Sequence, residues 1–286
     1  MKSNYRYIVK AFMAMAVIAG TTSCDDFLDR EPMSSISPET YYSTAAQLEA
    51  NLNDEYPNVL PSFGQWTYGI FGEDKGTDNQ IEVNANDRYT QDRWKVPHSE
   101  SDNWKFERIY RINFFLSEAL PKFGEDMIGS QNTISGSVAT IKHYIGEMYF
   151  LRAYEYFKKL QLFGDFPIIN QPLADEMEAL REASKRFPRN EVARFIISDL
   201  DKAYAYMSDV DMATTRINKD AAMLVKSRVA LFEATWLQNF KGTAFVPGGE
   251  GWPGASLHNN YQYPSGNIDN EVKYFLEQAV EASKLV

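Results

Sequence analysis

The 286-residue sequence predicts a mainly α fold, built from paired helices and interrupted by two long, aromatic-rich connections. Apolar residues recur at spacings of three and four along several segments, which is the period of an amphipathic helix. No segment shows an alternating pattern of comparable strength, so strands are not expected. Hydrophobic residues make up 44% of the chain, which is enough to form a core.

Two helices are predicted in the first part of the mature chain. The first covers residues 38–56. Ser37 is placed to cap it, Pro38 suits its first turn, and Pro57 marks its stop. The second covers residues 103–123.

The third predicted helix has the clearest pattern. Its apolar residues form one continuous stripe, and Gly164, with Pro167 beyond it, marks the end. The stripe comprises Ile134, Val138, Ile141, Ile145, Tyr149, Ala153, Tyr156, Leu160 and Phe163.

Three further helices follow. Asn190 is placed to cap a run that ends at Met207, and Asn218 to cap a run that ends near Phe240. The second of these runs is apolar nearly all round, which predicts a buried position in the middle of the array. The last helix begins at Glu271 and ends at Leu285, and its predicted apolar face comprises Val272, Leu276, Ala279 and Val280. Because each helix has a stripe to bury, the helices must pair, although their irregular spacing gives no strict repeat.

The first 23 residues are typical of a signal peptide. Lys2, Arg6 and Lys10 form a positive region, and residues 11–20 form a short apolar one. Ten residues cannot span a bilayer, which needs about 20. Small residues follow at the point where a signal peptidase would cleave.

Cys24 is the only cysteine and directly follows these small residues. The stretch resembles a lipobox, which predicts lipid attachment at Cys24 and firm anchoring by more than one acyl chain. The alternative is a free thiol after an ordinary signal peptide. Residues 24–37 are polar, contain Pro32 and show no sustained period, so they predict a tether that leads to a helical domain at 38–286.

Two connections, residues 58–102 and 241–269, are too long to be simple turns. Both combine aromatic rings with polar or glycine-rich sequence, which predicts that they fold onto the helices. Aromatic rings beside Asp, Asn and Arg suit a sugar, because a pyranose ring stacks on them and its hydroxyls bind the polar groups. The alternative is that the rings only pack the loops onto the domain.

The net charge of −10 gives no reason to expect a nucleic-acid partner. No nucleophile motif, phosphate loop or metal-binding motif is present, and His98, His143 and His258 lack metal-ligand spacing. We therefore expect no catalytic residue, no metal and no other cofactor.

Several segments together resemble the N-terminal half of SusD/RagB-type nutrient-binding lipoproteins of the Bacteroidetes. The most specific run is LRAYEYFKKLQLFGDFP, which ends at Pro167. The resemblance implies a TPR-like helical scaffold, a lipid anchor in the outer membrane facing the cell surface, and a SusC-like TonB-dependent transporter as partner. It also implies capture of a glycan without hydrolysis. The segments that carry it are residues 23–32, 104–113, 146–173, 189–203 and 216–236.

The resemblance also places the ligand site. In the family, a Trp-bearing region between the first helices contributes to the binding face, and here that region matches residues 66–94. The candidate ligand-binding residues are Trp66, Asp78, Asn79, Arg93 and Trp94. Since the family usually continues into a long C-terminal half, residues 38–286 are expected to be a truncated domain.

Two residues in the specific segments are predicted to be structural. Arg152 lies inside an apolar stripe and is expected to pair with a carboxylate, and Asp199 is expected to form a scaffold pair or a cap. Two other functions stay open at this point. One is a helical-repeat scaffold that binds only protein, and the less favoured is a glycoside hydrolase, which needs two carboxylates at a set separation.

Overall fold

The computed structural model describes residues 41–61, 80, 103–124, 126–208, 212 and 215–286. These residues contain seven α-helices and no strand, so the predicted mainly α fold is confirmed. The helices are α1 (Ala45–Val59), α2 (Glu107–Phe123), α3 (Val138–Phe163), α4 (Met177–Ala183), α5 (Arg189–Tyr206), α6 (Lys219–Asn239) and α7 (Ile268–Ser283).

Helix α1 begins and ends later than the sequence predicts. Its N-cap is Thr44, which forms a capping box with Gln47, so the predicted start at Pro38 is wrong. The predicted stop at Pro57 is wrong too. The helix continues to Val59 despite Pro57 in its last turn, and the buried Val59 side chain packs into the core.

The starts of the next helices also differ from prediction. Helix α2 begins at Glu107, four residues late. Helix α3 begins at Val138 rather than at Ile134, because Gly136 has a φ of +132°, which is incompatible with a helix. Ile134 is nevertheless buried in the core. The predicted end at Gly164 is confirmed.

Asn190 is not a cap, whereas Asn218 is. Pro188 precedes the first turn of α5, and Asn190 lies inside the helix, buried, where its amide bonds to residues of the last connection and of α7. Asn218 caps α6 as predicted, since its side chain accepts a hydrogen bond from the backbone N–H of Ala221 at 2.9 Å.

The helices pack as sequential antiparallel hairpins, as in a TPR-like array. Helix α3 is central: α1 and α2 pack on it from one direction and α5 from another. Helix α6 packs between α5 and α7 as predicted. Its predicted burial is only partly confirmed, because Leu224 and Leu231 are 56% and 50% exposed. The described helices belong to one compact unit, Tyr42–Val286. No helix in the described ranges is long and apolar enough to cross a bilayer.

The predicted apolar face of α7 is wrong for two of its residues. Leu276 is 38% exposed and Val280 is 53% exposed. The face that packs on α6 instead comprises Glu271, Phe275, Ala279 and Ala282. The pattern misled because Glu271 is buried in an ion pair, and hydropathy counts such a residue as exposed.

Candidate ligand-binding end of the scaffold

The long connections all leave the helical array at one end. Because neighbouring helices are antiparallel, the connections α1–α2, α3–α5 and α6–α7 share the end at which α3 terminates. The short connections α2–α3 and α5–α6 lie at the opposite end. We call the end with the long connections the loop end. At this end the array has segments that do not take part in helix packing.

Two adjacent lysines of α3 hold the ends of the α1–α2 connection. Lys158 Nζ donates to the carbonyl oxygen of Val59 at 2.8 Å, and Lys159 Nζ donates to that of Asn103 at 2.6 Å. The buried carboxylate of Glu155 lies 2.7 Å from Lys158 Nζ and 3.3 Å from Lys159 Nζ. This lysine clasp, Glu155–Lys158–Lys159, fixes where the connection leaves and rejoins the array.

An aromatic cluster lies where the α1–α2 connection rejoins the array. The ring of Trp104 is 4.9 Å from that of Phe163 and 4.9 Å from that of Phe166, in both cases edge to face. Phe106 stacks on Phe166 at 5.2 Å. These residues therefore anchor the first connection to the end of α3.

Arg186 links all three long connections. It belongs to the α3–α5 connection, and its guanidinium lies 4.6 Å from the centre of the Trp104 ring, which follows the first connection. Its carbonyl oxygen accepts a hydrogen bond of 2.8 Å from Nε2 of His258, in the third connection. The three connections are therefore positioned together and not independently.

Asp165 anchors the α6–α7 connection to the start of α5. Its carboxylate accepts hydrogen bonds from Trp252 Nε1 at 2.8 Å and from the backbone N–H of Arg189 at 2.9 Å. Burial raises the pKa of Asp165, and the bonds from Trp252 and Arg189 oppose that rise. Since Trp252 is buried, its ring is a structural anchor, whereas Phe245 in the same connection is 61% exposed.

A buried polar network fixes the other end of this connection. Glu271 accepts hydrogen bonds from Asn190, Arg194 and the backbone N–H of Ser265, and Tyr261 bonds to Asn190. The prediction that the 241–269 connection folds onto the helices is thus confirmed. Sequence reasoning missed this network because its polar residues are far apart in the chain.

Both residues predicted to be structural are confirmed as such, and they pair with each other. Arg152 Nε lies 2.6 Å from Asp199 Oδ2, and Arg152 Nη2 lies 2.8 Å from Asp199 Oδ1, with both side chains buried. This bidentate pair joins α3 to α5 in the core, and Nη1 of Arg152 donates to Asn113 and to the carbonyl oxygen of Asn170, so the guanidinium is bonded within the scaffold.

The predicted ligand residues lie outside the described residues, as do Cys24 and His98, so they stay predictions. The structure describes instead the two ends of the connection that carries the ligand residues, and it brings both ends to the loop end. The sequence pattern did not single out Lys158, Lys159 or Arg186, although the lysine doublet stands in the segment with the most specific resemblance. The ligand residues in question are Trp66, Asp78, Asn79, Arg93 and Trp94.

The described histidines serve as hydrogen-bonding groups. Nδ1 of His143 accepts from the backbone N–H of Ser208, and its Nε2 donates to the carbonyl oxygen of Ile217. Within the described ranges, no group of three or more His, Cys, Asp or Glu side chains could hold a metal ion.

Three long connections, joined at one end of a helical-hairpin array, define a class of proteins in which rigid paired helices support long loops. Comparison with known proteins specifies the class. The model of a family described as "Starch-binding associating with outer membrane" matches residues 26–231. The chain therefore belongs to the SusD-like family.

Curated relatives agree with this assignment. SusD-like protein P25 of Formosa agariphila is 26% identical over 233 residues, which cover 75% of this chain and 41% of the relative. SusD-like protein P2 of the same organism is 25% identical over 253 residues, covering 84% of this chain and 46% of the relative. The chain thus spans less than half the length of these relatives.

A solved SusD-like carbohydrate-binding protein from Bacteroides fragilis is also similar. The two chains are 18% identical, with a TM-score of 0.47, and the similarity covers 70% of this chain and 40% of the other.

Proposed function

We propose that this protein is a surface lipoprotein that binds a nutrient glycan and delivers it to a SusC-like TonB-dependent transporter, without hydrolysing it. Family membership supports the glycan as ligand, because the family is described as starch-binding and associated with the outer membrane. The proposed anchor is a lipid on Cys24, which would keep the protein on the outer membrane.

The observation that carries the proposal is the convergence of the three long connections at the loop end. The α1–α2 connection contains the aromatic and planar polar residues suited to a sugar, and the lysine clasp holds both of its ends there. The third connection joins it through Arg186. In the proposed site, the ring faces of Trp66 and Trp94 stack on sugar rings, and Asp78, Asn79 and Arg93 bind hydroxyl groups.

Affinity electrophoresis of the protein that starts after Cys24, through gels containing plant, fungal and host polysaccharides, tests the proposal. We expect one class of glycan to retard the protein. Trp94→Ala should weaken retardation clearly, since the variant loses the buried area of the ring and about 0.5–1.5 kcal/mol of stacking beyond it, which alone is about two- to thirteenfold in affinity. The matched control is Tyr204→Ala, which removes a half-buried aromatic ring at the opposite end of the array.

Three results would contradict the proposal at different points. Retardation of both Trp66→Ala and Trp94→Ala that equals that of the wild type would reject the site but would leave glycan binding itself supported. A protein that no glycan retards would reject glycan binding. Release of reducing ends during long incubation would favour a glycoside hydrolase.

The anchor has a separate test. Labelling with a palmitate analogue in the native host should mark the wild-type protein and leave Cys24→Ser unlabelled. A labelled Cys24→Ser protein would show that the lipid is attached elsewhere, and an unlabelled wild-type protein would favour the free thiol.

A further inference from the structure

An open groove lies between α3 and α6, along the flank of the array. Both helices pack on α5 but hardly contact each other, which leaves space between them. The rings of Phe157 and Phe232 meet edge to face, with their centres 5.6 Å apart, and both line the groove. The larger part of the groove has a volume of about 360 Å³ and the smaller part continues from it along α3.

The α6 side of this groove presents apolar side chains to solvent. Leu231, on the rim, is 50% exposed, and Leu224, two turns before it, is 56% exposed. Burial of these side chains by a partner would be favourable, because it removes apolar surface from water.

The charge of the groove is opposite to that of the chain as a whole. The protein has a net charge of −10, yet the side chains that line the groove include Lys158 and Arg228 and no carboxylate. Lys158 already contacts Glu155 and the carbonyl oxygen of Val59. Arg228 is exposed and has no such contact within the described ranges, so its charge is available to an acidic partner.

We propose that the α3–α6 groove binds an amphipathic helix of a partner protein, with apolar residues at spacings of three and four and acidic residues beside them. The apolar residues pack on Phe232 and Leu231, and an acidic residue pairs with Arg228. From Val225 to Thr235 the groove extends for about 15 Å along α6, which corresponds to about three helical turns. This is the helix-in-groove mode of recognition.

The chemistry of the groove favours a peptide over a sugar. A sugar requires an open aromatic face, but Phe157 is buried beneath its neighbours, and its ring and that of Phe232 meet edge to face. Most of the lining surface is apolar carbon, and no carboxylate lies among the lining side chains. Apolar side chains of a helix fit this surface better.

The test is a selection from a phage-displayed library of random 16-residue peptides on the full chain, which involves no glycan and is thus independent of the proposed function. We expect enrichment of acidic peptides with apolar residues three and four apart. Fluorescence anisotropy of the best synthetic peptide should show about tenfold weaker binding to Arg228→Glu, since an exposed ion pair is replaced by a repulsion. The same peptide with Lys in place of its acidic residues should bind Arg228→Glu better than wild type.

Two further variants complete the design. Leu231→Glu should abolish binding, and because this side chain is half exposed, the variant should keep the wild-type melting temperature. The control Lys284→Glu makes the same charge change as Arg228→Glu on an exposed site of the chain and should leave affinity unchanged. Enriched peptides that bind Leu231→Glu and Arg228→Glu as well as wild type would overturn the proposal. So would the absence of any enrichment, or displacement of the peptide by a polysaccharide that occupies the groove.

Discussion

Arg152 and Asp199 show how a charged pair can support a helical core. The guanidinium also lies 5.3 Å from the ring centres of Tyr149 and Phe195, so its unbonded faces contact aromatic carbon. Burial lowers the pKa of Arg152, but the bonds to Asp199 outweigh it and the pKa is raised, which favours the charged form in the folded protein. Burial raises the pKa of Tyr149 to about 12, so this ring stays neutral beside the pair.

Asp199→Asn should therefore destabilise the protein strongly. The variant leaves a buried arginine charge without its counter-charge, which costs about 3–5 kcal/mol in the free energy of unfolding. Urea denaturation of wild type and variant measures this difference in the free energy of unfolding. The control Glu178→Gln breaks an exposed pair with Arg181 and should change stability by less than about 0.5 kcal/mol. Equal effects of the two substitutions would refute the role of the buried pair.

Glu271 predicts a dependence on pH. Burial raises its pKa, but hydrogen bonds from Arg194, Asn190 and Ser265 outweigh burial and lower the pKa below its ordinary value of 4.5. The fold thus favours the ionised form. This contribution to stability is present above pH 4.5 and is lost as the pH falls through the lower folded value.

Glu271→Gln should for that reason be more destabilising at pH 7 than at pH 3. The measurement is the free energy of unfolding of wild type and variant at both pH values. Because the two proteins share all other carboxylates, the pH-dependent contribution of those groups cancels in the difference. Glu277→Gln, at an exposed site of the same helix, should show little difference at either pH. A loss for Glu271→Gln that is the same at pH 3 and pH 7 would contradict the expected linkage.

At the scale of elements, the contact of α3 with α5 depends on Gly146. A Cβ atom there would lie 2.9 Å from the carbonyl oxygen of Ala203 and 2.9 Å from the backbone nitrogen of Met207. Backbone atoms cannot rotate away, so a larger residue would force the two helices apart.

Gly146→Ala therefore sets two effects against each other. Alanine favours the helix by about 1 kcal/mol, while overpacking costs about 1–3 kcal/mol. We expect a net loss of about 1 kcal/mol, measured by urea denaturation. Ala205→Gly, at an exposed site of α5, calibrates helix propensity alone and should cost about 1 kcal/mol. A Gly146→Ala variant more stable than wild type would show that the helices can move apart at no cost.

Sequence periodicity predicted the helices well and their ends less well. The stripe residues from Ile141 to Leu160 are buried as predicted, whereas Val138 is 39% exposed. The caps at Asn218 and Gly164, which like the stripe depend on neighbours in sequence, were confirmed. The start of α1 is set by the capping box of Thr44 and Gln47, a local signal that the Ser37–Pro38 pattern displaced in the prediction. The buried face of α7 depends on a tertiary partner, the arginine that pairs with Glu271. Local pattern cannot supply such partners.

At the scale of the whole molecule, the resemblance in sequence predicted the class of protein, whereas the arrangement of the loop end came only from the structure. Lys158 and Lys159 appear in sequence as ordinary charged residues of a helix. Their role depends on the fold, which brings the carbonyl oxygens of Val59 and Asn103 to them from distant parts of the chain. No spacing rule predicts contacts of this kind.

The joint positioning of the three connections predicts an effect of Arg186 on ligand binding. An exposed cation–π contact is worth about 0.5–1 kcal/mol, so Arg186→Ala should weaken binding of the glycan identified by electrophoresis about two- to fivefold. The helical content measured by circular dichroism should stay unchanged, because Arg186 lies outside the helices. Arg181→Ala, an exposed arginine of α4, is the control, and equal affinities of the two variants would show that the connections act separately.

The lysine clasp has a consequence for how the protein can diversify. Because the two ends of the first connection are fixed at neighbouring positions on α3, its length can change without moving any helix. Doubling a flexible loop between fixed ends costs only about 0.6 kcal/mol in closure entropy. Insertions in this connection therefore have little effect on the stability of the fold. Proteins that share the scaffold can acquire different ligands by changing this one segment.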